Sequence, residues 1–152
     1  MSEDGGATPP PYVLDVSVLV AVARFDVAIM TLIQGYDSRG QALVAPAMAL
    51  TGATLDVRSE DADDLLDGVE RLDNTEVASL RDAEQAVRLA AVIAKTGLDP
   101  WDAPVAAVAD ASICPILTLN AAKWRQHAGD LDEPLHFIEI ADPGPEQQTS
   151  AP

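Results

Sequence analysis

Strands alternating with helices along the whole chain predict an α/β fold, a parallel sheet covered by helices on both faces. Three observations carry that expectation. Tyr12–Val16 and Pro115–Leu119 are short apolar runs of the kind buried on both faces of a sheet. Between them lie segments with helical spacing and recognisable caps. The chain, 152 residues with 48% hydrophobic residues, is long enough for one core and too apolar for a disordered acidic polymer.

Taken in order, Tyr12–Val16 is introduced by prolines and interrupted by a single acid, Asp15. Ser17–Ala23 favours a short helix, and Val27–Ile33 is an apolar run closed by Gly35 and the turn cluster Asp37-Ser38-Arg39-Gly40. Ala42–Val44 reads as a brief strand. Pro46 suits the first turn of a helix over Ala47–Leu55. Ser59, followed by Glu60 and Asp61, starts another helix with acids at the positive end of its dipole. Leu65, Leu66, Val69 and Leu72 follow at helical spacing, while Asp61, Asp63, Asp64 and Asp67 read as its solvated face.

Thr75–Leu80 is the next expected strand. Asp82 with Gln85 caps a helix whose face holds Ala86, Leu89, Ala90 and Ile93 and which Gly97 stops. A helix from Asp99 or Asp102 to Ala111 precedes the strand Pro115–Leu119. Asn120 ends that strand, Ala121–Gln126 turns helical, and Leu135–Ile140 is a last strand suited to a sheet edge. Residues 1–11 and 142–152 are rich in Pro, Gly and polar residues and read as tails around one domain at 12–141.

The net charge of −16 argues against a general nucleic-acid binder, whose affinity comes mostly from cations on phosphates. Contact with RNA would be local, through Arg24, Arg39, Lys123 or Arg125, and a partner with a basic surface fits the charge better. The single cysteine, Cys114, has no internal partner and sits in an apolar stretch, so it reads as a small buried hydrophobe. His127 and His136 have no metal-ligand spacing. The acidic start does not resemble a secretory leader. The longest uncharged apolar stretch, Ala42–Leu55, is too short for the roughly 20 residues of a membrane span, which makes cytoplasm the expected location.

Asp15 and Asn120 each follow an apolar strand, and parallel sheets bind ligands outside those strand ends where the strand order reverses. An acid in an apolar strand is costly unless it is paired or binds a cation. Asp15 therefore reads either as a cap for the helix near Ser17 or as a ligand. Asp102 has the same two readings, since Asp99-Pro100-Trp101-Asp102 also suits a helix start. Trp101 and Trp124 read as packing residues beside this region.

Asp15-Val16-Ser17-Val18-Leu19 resembles the Asp-x-Ser motif that opens PIN domains, including the VapC-type ribonuclease toxins. Asp102-Ala103, Ala106-Ala107, Ala109 and Ile116-Leu117-Thr118-Leu119-Asn120 resemble that family's third-acid helix and following strand. The resemblance implies a three-layer α/β/α sandwich and a Mg²⁺-dependent (or Mn²⁺-dependent) endoribonuclease of toxin–antitoxin type. It implies Asp15 and Asp102 as metal ligands, Asn120 as a third site residue orienting water or substrate, and Ser17 and Thr118 as supporting hydroxyls. RNA, an antitoxin-like protein or a second copy of the chain would be its partners. One position departs from the pattern: Thr51 or Gly52 stands where the family has a second acid, usually Glu, and Asp56 is more than one helical turn further on. Two carboxylates would hold an ion more weakly than three. The alternative implied is a PIN domain that has lost catalysis and binds protein or RNA.

Overall fold

The computed structural model describes residues 9–141. The expected tails lie outside that span except for Pro9–Pro11, where the Pro10 carbonyl accepts a hydrogen bond from Gln41 Nε2 at 3.0 Å. Among the described residues five strands, β1 (Tyr12–Leu14), β2 (Leu43–Pro46), β3 (Thr75–Ala78), β4 (Ile116–Thr118) and β5 (Phe137–Glu139), form one sheet. Its order is β3-β2-β1-β4-β5, and every neighbouring pair is parallel. Central β1 and β4 are built from Val13, Leu14, Ile116 and Leu117, all fully buried, as strands covered on both faces require.

Among the described residues seven helices connect these strands: α1 (Val16–Ala23), α2 (Val27–Ser38), α3 (Ala47–Asp56), α4 (Glu60–Glu70), α5 (Ala83–Thr96), α6 (Ala103–Ser112) and α7 (Ala121–His127). The helices linking β1, β2 and β3 pack on one another, while α5 and α6 pack together and α6 lies on β1 and β2. Crossovers between parallel strands are right-handed as a rule, which for this strand order puts the two groups on opposite faces. The result is the expected α/β/α sandwich. No single helix among the described residues is long and apolar enough to cross a membrane.

Side-chain caps explain where most helices begin. Asp26, Ser59 and Asp82 each accept a hydrogen bond from a backbone N–H three residues on, at 3.2, 3.0 and 2.9 Å. Gly97, with φ of 71°, closes α5 in the left-handed conformation that glycine adopts without steric cost. Strands β1, β4 and β5 are shorter than the apolar runs that predict them, and three further boundaries differ from the sequence reading. The helix α2 runs through Gly35 to Ser38, because Ile29 and Ile33 anchor it in the core and a single glycine costs only about 1 kcal/mol. Pro46 ends β2 instead of opening α3; its φ of −63° and ψ of 136° are extended, and its missing N–H falls where the ladder stops. β3 ends at Ala78, leaving Leu80 half exposed beyond it.

The strand order reverses beside β1: the chain steps outward to β2 and β3, then crosses back to β4 on the other side. The carboxyl ends of β1 and β4 are neighbours, with Val13 opposite Ile116 and Leu14 opposite Leu117. This is the switch point at which α/β sheets bind ligands.

Candidate functional site

Asp15 leaves the end of β1, caps α1, and is completely buried. Its Oδ1 accepts hydrogen bonds from Ser17 Oγ at 2.6 Å and from the Val18 N–H at 3.1 Å. Its Oδ2 accepts from the Trp124 indole N–H at 2.8 Å. A carboxylate offers about four lone-pair sites, so three donors nearly saturate it. The capping role weighed for Asp15 is thus the one its Oδ1 performs.

Ser17 and Thr118 tie the two strand ends together. Ser17 Oγ accepts from the Leu119 N–H at 2.9 Å and lies 3.5 Å from Thr118 Oγ1, which accepts from the Asn120 N–H at 2.8 Å. Asn120 itself is exposed and caps α7, its Oδ1 accepting from the Lys123 N–H at 3.3 Å. The amide expected to orient water or substrate spends its oxygen on that cap.

Asp102 stands just before α6 and is 5% exposed, yet its side chain caps nothing. The turn is held by Asp99, whose Oδ1 accepts from the Trp101 and Asp102 N–H groups at 3.0 and 2.8 Å. Asp102 Oδ2 instead accepts from Lys123 Nζ at 2.6 Å, and Oδ1 is buried with no partner. Burial pushes the Asp102 carboxyl pKa up; the Lys123 hydrogen bond and charge pull it down, and the charges of Asp99 and Asp15 add to the rise. Asp15 is therefore close enough to be felt electrostatically. The first turn of α7 serves both acids, Lys123 on Asp102 and Trp124 on Asp15.

Lys123 and Trp124 are the residues whose roles here the sequence reading missed. Lys123 was grouped with cations that could touch RNA, and Trp124 with packing residues. Trp124 does pack, since it is fully buried, but its N–H also closes the shell around Asp15. The available signal was positional. Both follow Asn120 by one helical turn, and so must lie over the strand end that carries the site.

The position where the resemblance implies a second acid is occupied differently. Thr51 is exposed and turns its hydroxyl back to the Ala47 carbonyl at 2.9 Å, so it does not face the site. Gly52 is buried against Trp101: a Cβ there would lie 2.8 Å from Trp101 Cβ and 2.9 Å from Cγ. The indole next to Asp102 fills the space that a side chain at position 52 would need. Asp56 pairs with Arg24 at 3.2 Å, with both side chains exposed.

No family model and no curated protein matches the chain. It is similar to the crystal structure of PAE2754 from Pyrobaculum aerophilum, with a TM-score of 0.52, 86% of each chain covered and 20% sequence identity. At that identity the likeness speaks for the fold alone.

The side chains present do not fit a divalent cation. Among the described residues no group of three or more His, Cys, Asp or Glu could hold a metal ion. Asp15 is occupied by three protein donors, and Asp102 is neutralised by an ammonium. A divalent ion about 4 Å from that ammonium would meet a repulsion of roughly 8 kcal/mol at an effective dielectric constant of about 20. Mg²⁺, which dehydrates reluctantly, has little to offset such a term. Cys114 is buried, and burial pushes its thiol pKa up, which disfavours the thiolate. His127 pairs with Asp130 at 2.8 Å, and His136 is exposed.

Proposed function

We propose that this chain is a divergent PIN-type domain that has given up metal-dependent phosphodiester hydrolysis and acts inside the cell as a binding module. The single observation that carries the reading is the Lys123 ammonium 2.6 Å from Asp102 Oδ2. A nuclease of this class needs carboxylates free to hold an ion that activates water and takes up charge on the phosphate. Here one carboxylate already accepts from three neutral donors, and one oxygen of the other is paired with a cation of the chain itself. The buried network still has a structural use, because it locks the ends of β1 and β4 and the start of α7 into one unit. The net charge of −16 favours a protein partner with a basic surface over RNA.

The second reading, a Mg²⁺-dependent endoribonuclease, draws on one observation: Asp102 Oδ1 is buried and unclaimed, an acceptor that an ion could use. Two measurements on the wild-type protein separate the readings. Labelled single-stranded RNA incubated with Mg²⁺ or Mn²⁺ should stay intact, and Mn²⁺ should give no binding signal by electron paramagnetic resonance. Cleavage that EDTA abolishes and Asp102→Asn removes would establish the nuclease and end the binding-module reading.

A further inference from the structure

Side chains alternate between the two faces of a strand, and on β2 the faces differ. Leu43 and Ala45 are fully buried on one face, whereas Val44 on the other is only partly buried although β2 has a strand on each side. The register pairs Val44 with Glu76 and Pro46 with Ala78, so these four share the less covered face. Parallel strands are ordinarily covered on both faces. Here α6 lies on β1 and β2, α5 packs chiefly on α6, and a cavity of about 430 Å³ opens between the two helices and the β2–β3 floor. Small residues keep it open: Ala78 on β3, with Ala107 and Ala111 one turn apart on α6. Its apolar lining includes Val44, Pro46, Leu89 and Val108, and neither Asp15 nor Asp102 belongs to it. In a chain of net charge −16, this lining carries two cations, Arg81 and Arg88, against one acid, Glu76.

We infer that this cavity binds a small monocarboxylic acid with an apolar body, its carboxylate on Arg81 and Arg88. The inference goes beyond the binding-module reading and does not depend on it. A cavity of this size, mostly apolar with a few charged groups at one end, suits an amphipathic small molecule. The guanidiniums are available to it. Arg81 is 3.9 Å from the Glu76 carboxylate, too far for a hydrogen bond, and Arg88 donates one, to Glu84 at 3.0 Å. A guanidinium has five N–H donors and takes a carboxylate bidentately. The side chains of both arginines are more than half exposed, and ion pairs of that kind are weak enough for a ligand to compete. One negative charge is what the lining balances. A neutral ligand would leave the excess cation unanswered, and a dianion would meet Glu76.

The test titrates the full chain, labelled with ¹⁵N, with 4-phenylbutyrate and with its uncharged amide, 4-phenylbutanamide. The acid should shift amide resonances of β2, β3, α5 and α6, with a Kd of about 1 mM, the scale that ligand efficiency sets for so small a molecule. The amide should bind about tenfold more weakly, having lost the charge-assisted hydrogen bonds. Arg81→Gln combined with Arg88→Gln, both at exposed positions, should erase that preference. Ala107→Leu should fill the cavity and weaken binding of both compounds about tenfold or more; Ala111→Leu, at a more exposed position of the same wall, serves should the first variant not fold. Equal binding of acid and amide would overturn the carboxylate assignment. Undiminished binding to a folded cavity-filled variant, or shifts confined to other elements, would place the ligand elsewhere and overturn the site. Absence of any shift at about 20 mM, well above the expected Kd, would do the same. If a short peptide ending in a leucine carboxylate binds more tightly than 4-phenylbutyrate, the occupant is a protein chain end and the small-acid inference fails.

Discussion

Asp15 and Asp102 are the same residue type within electrostatic reach of each other, and the chain treats them oppositely. Asp15 receives three donors, Asp102 one cation and a burial cost that raises its pKa. The consequence for stability has a definite sign. A carboxyl whose folded pKa lies above its unfolded value holds a proton more tightly in the native state. Its contribution is most favourable in acid and declines as pH rises through the window between the two values. Asp102→Asn removes that titration, while Lys123, partly exposed, can turn to water. Thermal midpoints of the two proteins measured from acid to neutral pH should therefore diverge, with the variant gaining on wild type as pH rises. Divergence the other way would mean that Lys123 outweighs burial and that Asp102 is stabilised as an anion. Much of this was legible in the sequence: an acid in an apolar strand must be answered, and Asp15 announced itself on that ground. What answered it was not, because Trp124 lies 109 positions away and the pairing depends on how α7 docks.

At the level of elements, the starts of helices were the most readable feature and their ends the least. Ser59 and Asp82 cap as their side-chain chemistry dictates, whereas α2 overrides its own glycine because two isoleucines hold it down. The contact of α3 with the approach to α6 was invisible in sequence, since Thr51 and Gly52 are adjacent and only packing decides which faces inward. Gly52 does, and it meets the Trp101 ring. Ordinary helix propensity makes Gly52→Ala stabilising by about 1 kcal/mol. Here the added methyl would overlap an indole and its Cβ, and overpacking of this kind costs about 1–3 kcal/mol. We expect a net loss in the thermal midpoint, relieved when Trp101→Leu is added to the same protein. A gain from Gly52→Ala alone would show that Trp101 moves away freely and that the space beside Asp102 is open.

Seen whole, the molecule carries 25 acidic residues against 9 basic ones, and its surface pairs do little to correct the excess. Arg24–Asp56, Arg88–Glu84, Lys95–Asp132 and Arg125–Glu139 are all substantially exposed, and pairs of that kind contribute about 0–1 kcal/mol each. Self-repulsion should therefore outweigh attraction at low ionic strength. Salt screens both, with a Debye length that falls from about 30 Å at 0.01 M to about 3 Å at 1 M. The long-range repulsion is lost first, so the wild-type midpoint should rise as NaCl is added. A falling midpoint would mean that the exposed pairs hold more of the stability than their geometry implies. The same titration distinguishes screening from binding. MgCl₂ at matched ionic strength should act on wild type much as NaCl does, because Asp102 already has its counter-ion in Lys123 and Asp15 accepts from three protein donors. If Mg²⁺ stabilises well beyond Na⁺, and Asp102→Asn abolishes the difference, the two carboxylates are open to metal and the chain keeps an ion site after all.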